Sequence, residues 1–157
     1  MKFTIIKDLK QDSLMKPILS SLLFFTLLYL ISDIFVKQSS FGIFTQTIHL
    51  TLFGDEEQFV DPITQSSFLE FWHGEIFFIM MIVFTLSTIF IRVSNASKSA
   101  IVIVNLLMIS SIISLISLPL AYFIHVGFIQ IYVLTFFVWH ILAILSALTS
   151  LKGLYYA

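Results

Sequence analysis

Glu70, His73 and Glu75 lie together in Ser67-Phe68-Leu69-Glu70-Phe71-Trp72-His73-Gly74-Glu75, at the head of a long apolar run. Carboxylates and an imidazole at that depth can move protons, ligate a metal or hold a cofactor. Ionisable groups in such surroundings are costly to bury, so they are functional candidates by default. Glu70 and His73 are three apart and share a helix face, as metal-ligating Glu-x-x-His pairs do. A dinuclear carboxylate centre needs two such pairs and two more carboxylates, and the chain has one pair. Glu70 also has a structural explanation, because Ser67-x-x-Glu70 fits a capping box in which each side chain satisfies the other's backbone donor. Glu75 lies beyond that turn, and the residues four away, Phe71 and Ile79, cannot pair with it. Its partner must come from another helix, water or a bound ion.

The chain has four histidines, and His73 and His140 each follow a tryptophan. Two membrane histidines on different helices suggest b-type haem held by axial imidazoles, which requires matching depth on facing helices. Counting 1.5 Å per residue puts His73 about 9 Å, Glu75 about 12 Å and His140 about 18 Å below the outer surface. The haem reading therefore takes His73 and His140 as ligands with Glu75 orienting an imidazole, against a depth mismatch of about 9 Å. His140 and Glu75 are close enough in depth to interact directly. A transition-metal site nearer the surface would draw on His73, Glu70, His125 and His49. Each histidine also has a structural alternative, and for Glu75 with His140 that alternative is a buried hydrogen bond between their helices.

The elements that must carry these residues are membrane spans. Only 11% of the 157 residues are charged, 59% are hydrophobic, and mean hydropathy is +1.04. Soluble domains carry roughly 25% charge. Four apolar runs, at about 17–36, 67–92, 100–124 and 128–151, are each long enough to cross the bilayer. The expected fold is an all-α integral membrane four-helix bundle forming a single domain over 1–157. Lys2, Lys7, Lys10 and Lys16 precede the first span among apolar residues, as a topogenic tail or a short interfacial helix. Pro17 suits a first helical turn.

A linker over 37–66 follows. Within it, Ser40 is a candidate cap for an amphipathic surface helix ending at Gly54, with Phe41, Phe44, Ile48 and Leu52 on one face. The run Asp55-Glu56-Glu57 lacks calcium-loop spacing and reads as a solvated acidic rim. Asp61-Pro62 would cap another short turn. Pro119 should loosen the third span near its exit and free a carbonyl for a side chain or water. The tight turn at His125-Val126-Gly127 makes the last two spans antiparallel neighbours. A faint echo, Trp72-His73 against Trp139-His140 and Leu30-Ile31-Ser32 against Leu115-Ile116-Ser117, raises duplication of a hairpin.

Seven of the eight Lys and Arg residues fall on one side, Lys37 being the exception. The positive-inside rule then places both termini in the cytoplasm of an inner-membrane protein, with the linker outside. No basic arm suggests nucleic acid, and the absence of cysteine excludes thiol chemistry and disulfide exchange. No Walker loop, Rossmann fingerprint, zincin motif or nucleophile elbow occurs, so hydrolytic chemistry is not expected. In size and span count the chain is similar to small four-helix membrane cytochrome b proteins, a likeness of architecture alone. The readings left open are a haem or metal protein acting as an electron-transfer or accessory subunit, an oligomeric proton- or ion-coupled carrier, and an assembly partner of a membrane complex. Lipid, other membrane subunits and further copies of the chain are the expected partners.

Overall fold

The computed structural model describes residues 14–155. Five helices follow in order: α1 (Met15–Ser40), α2 (Thr45–Phe53), α3 (Gln65–Val93), α4 (Lys98–Phe123) and α5 (Phe128–Tyr155). All but α2 are long and apolar enough to span a bilayer. The protein is a four-helix membrane bundle with the short α2 in its first linker. The tail over Met1–Ser13, where an interfacial helix was an option, lies outside the described residues.

Helix α5 is the hub. It packs against each of the other four helices, most closely against α4. Small buried residues favour that approach: Ser110, Ser114 and Ala121 on α4, and Ala143 and Ala147 on α5. Helix α1 is peripheral by comparison. Its most apolar window is 22% buried, against 39% in each of the other spans, and it touches α3 little. Aromatic contacts close that gap toward the linker, with Phe41 stacked on Phe71 at 4.5 Å and Tyr29 against Phe78 at 5.6 Å.

Local chemistry sets where the helices begin and end, and several boundaries differ from those expected. Helix α1 continues past Val36, so Lys37 is a helical residue and not a linker residue. Ser40 ends α1 rather than capping α2, its hydroxyl donating to the Val36 carbonyl at 2.8 Å. The turn between α1 and α2 folds back on the Lys37 carbonyl, which accepts from the amides of Phe41 and Gly42. Gly42 has φ +90°, and a Cβ there would stand 2.4 Å from Thr47 Oγ1, so glycine is required. Helix α2 buries Ile48 and Leu52, with Phe41 buried just before it, while Phe44 is exposed.

Helix α3 begins earlier than the Ser67 capping box implied. Thr64 is its cap and accepts from the Ser67 amide at 3.2 Å, which leaves Glu70 exposed and without that role. Asp61-Pro62 caps no helix and lies in extended chain after a tight turn closed by paired Asp55 and Val60. At Pro119 the expectation holds. Proline lacks the amide that would serve the Leu115 carbonyl, and the Trp72 indole N–H donates to that oxygen at 2.8 Å.

Candidate functional site

The polar centre of the bundle is built by three helices. Asp33 and Lys37, one turn apart on α1, point inward together. Glu75 comes from α3 and His140 from α5. All four are buried, with 9%, 2%, 8% and 1% of their surface exposed. An unpaired charge at such depth is prohibitively costly, and each of these has an opposite partner. Lys37 Nζ lies 3.2 Å from Asp33 Oδ2 and donates directly to the Glu75 carboxylate. The same ammonium sits 4.8 Å above the Phe136 ring.

His140 completes the cluster. Its Nε2 is 3.1 Å from Asp33 Oδ2, so one carboxylate oxygen serves both Lys37 and the imidazole. Its Nδ1 is 3.0 Å from the Phe136 carbonyl, one turn earlier on α5. Both ring nitrogens thus face acceptors, whereas a neutral imidazole has one N–H to give. The geometry is fully satisfied when the His140–Asp33 pair carries one further proton, on the ring or on the carboxyl. With that proton the four groups sum to zero charge. Tyr29 lies one turn before Asp33 on α1, and Tyr132 packs against Phe136, the ring beneath Lys37, at 5.9 Å.

The residues singled out from sequence divide sharply. Glu75 and His140 enter one cluster, though joined through Lys37 and Asp33 rather than by direct contact. Glu75 does find its partner on another helix, as its position required. His73 and Glu70 are exposed on α3 and stand apart from that cluster. His49 and His125 are also exposed, and line one groove of about 240 Å³ with Phe53 and Tyr122. His125 Nδ1 accepts from the Gly127 amide at 3.0 Å, which leaves the ring proton on Nε2. Metal ligation through Nε2 requires the opposite tautomer. Among the described residues, no three His, Asp or Glu side chains are grouped to hold a metal ion.

Asp33 and Lys37 are the residues that sequence reasoning missed. Counting depth leaves Asp33 near the outer boundary, and the charge pattern reads Lys37 as a linker charge outside. The available signal was the Asp-x-x-x-Lys spacing at the end of an apolar run, on the one basic residue that broke the positive-inside pattern.

Residues 42–157 match the model of a family of transmembrane helical domains. That match takes in Glu75 and His140 and stops short of α1, which supplies the other half of the cluster. No curated protein and no solved structure matches the chain.

Proposed function

We propose that this chain, which belongs to the Aq_1264_TM family of transmembrane helical domains, binds and passes protons at Asp33, Lys37, Glu75 and His140, as an oligomeric proton-coupled carrier. The observation that carries this reading is the pair of acceptors facing the two nitrogens of His140. A proton on Nε2 can cross the 3.1 Å hydrogen bond to Asp33 Oδ2. Lys37, shared between Asp33 and Glu75, then weakens its hold on the neutralised carboxyl and keeps its contact with Glu75. Protonation at one carboxylate is in this way felt at the other. Four spans are few for a carrier, hence the oligomer.

The haem reading asks more of the structure. His140 Nδ1 is anchored to a backbone carbonyl as an axial ligand's would be, but its Nε2 must first leave Asp33. Lys37 meanwhile occupies the place between the carboxylates where a bound cation would sit. Glu75 would then orient the imidazole only indirectly, through Lys37 and Asp33. The proton reading uses every group where it stands.

The test is proton flux into proteoliposomes under an imposed gradient, followed with an internal pH dye. Glu75→Gln and His140→Ala should each abolish it, and flux that survives both changes rules the mechanism out. A Soret band in the purified protein would instead revive His140 as a haem ligand. The assembly reading keeps one supporting observation. Phe59 is 95% exposed on the turn that carries Asp55, Glu56 and Glu57. It requires that changes in the linker disturb association with a membrane partner more than changes at Glu75.

A further inference from the structure

Beyond the cluster, five buried side-chain polar atoms have no hydrogen-bond partner among the described residues: Tyr132 Oη, Trp139 Nε1, Ser146 Oγ, Ser150 Oγ and Ser87 Oγ. Four of them belong to α5, and their positions are not scattered. Tyr132, Trp139 and Ser146 recur every seventh residue, which returns to nearly the same helix face, and Ser150 follows one turn later. The stripe is about 27 Å long at 1.5 Å per residue, close to the thickness of the hydrocarbon core. It begins at Tyr132, whose ring lies 5.9 Å from that of Phe136, the ring beneath Lys37, and passes His140. It then runs to the end of the bundle that carries Arg92, Lys98 and Lys152. Ser87 stands on α3 at the depth of Ser150, since the two lie equally far from the starts of α3 and α5, and those helices pack together.

Serine in an apolar helix usually bonds a carbonyl of its own preceding turn, as Ser110 and Ser111 do here. Ser87, Ser146 and Ser150 do not. A buried polar group left unpaired is costly, and three hydroxyls and an indole N–H on one face would be a heavy burden for a bundle of this size. Water is the partner small enough to reach them, and buried polar groups of this kind are where internal water resides. The cluster lies toward the linker end of the bundle, with Lys37 in the last turn of α1, so the stripe would give a proton site a way out through the opposite half.

We propose that the α5 stripe of Tyr132, Trp139, Ser146 and Ser150, with Ser87 of α3, is a water-lined path that carries protons between the Asp33–Lys37–Glu75–His140 cluster and the Arg92 end of the bundle. The inference deepens the proton reading and rests on it. A proton taken up from water at one end is matched by one released to water at the other, each water along the file passing its proton on and receiving another.

The chain has no cysteine, so single substitutions report hydration directly. In full-length protein in liposomes, Ser146→Cys and Ser150→Cys nearly preserve side-chain size, and silver ion is the probe, read as loss of later labelling by a thiol dye. A thiol reacts as thiolate, which forms only where water reaches it. Leu107→Cys, fully buried in the apolar core, and Leu145→Cys, facing lipid, are the dry references. The path predicts blocking of the two serine positions at least about tenfold faster than the references, the thiolate fraction setting the rate. Rates equal to those at Leu107→Cys overturn it. In the flux assay Ser146→Val should lower proton flux several-fold, whereas Ser110→Ala, whose hydroxyl is already bonded within α4, should not. Unchanged flux in Ser146→Val also overturns the path. Absence of flux in the unsubstituted protein overturns the proton reading itself, so the two failures are told apart.

Discussion

At the scale of single residues, the bundle's polar centre is stable because its charges are matched, and each partner is worth most when the other is present. Removing Lys37 leaves the Glu75 carboxylate buried without its cation. Lys37→Met should cost about 3–5 kcal/mol, the usual penalty for breaking a buried ion pair from one side. Glu75→Gln alone should cost less, and the double substitution should cost less than the two losses added together. Thermal unfolding in detergent measures all three, and simple additivity would mean that Lys37 and Glu75 do not interact. The same logic explains why His140 looked from the sequence like a free ligand. An imidazole in an apolar run announces that something must satisfy it. That the satisfier is Asp33 depends on a helix that lies 107 residues away in the chain.

At the scale of elements, the bond between Trp72 and the Leu115 carbonyl shows how a defect in one helix is repaired by its neighbour. Pro119 breaks the ladder of α4, and α3 supplies the missing donor. Trp72→Phe should therefore lower stability by about 1 kcal/mol, the net value of one hydrogen bond. In a Pro119→Ala background residue 119 regains its own amide, and the same change should cost much less. A difference in melting temperature between the two backgrounds is the readout. If the penalties are equal, the indole is doing nothing for that carbonyl. The freed carbonyl was legible in the sequence and its partner was not, because proline states its deficit locally while the donor comes from packing. Helix starts were misplaced for a related reason. Ser67 and Glu70 have capping-box spacing, but Thr64 lies one turn earlier with the same chemistry and takes the role.

At the scale of the whole molecule, four spans bring the start of α1 and the end of α5 to the same face, where the Ser20 and Tyr155 hydroxyls meet at 2.8 Å. Reporter fusions at the two ends should therefore indicate one compartment, which the positive-inside rule predicts to be the cytoplasm. Opposite signals would require an odd number of spans. The architecture also gives α1 a special standing. It is the least buried span, yet it brings both Asp33 and Lys37 to groups held by α3 and α5. Its attachment to α3 is thus chiefly electrostatic and aromatic rather than a matter of buried apolar area.

The number, length and apolar character of the spans were set by the sequence alone, because crossing about 30 Å of hydrocarbon leaves a helix no other composition. The same cost argument marked Glu75 and His140 as groups that need partners. Which groups meet was decided only by the tertiary structure, since pairing depends on how each helix is rotated and on how deep it sits. Lys37 makes the point: the same letter reads as a solvated charge at the end of a span or as the cation at its heart, and one extra turn of α1 separates the two.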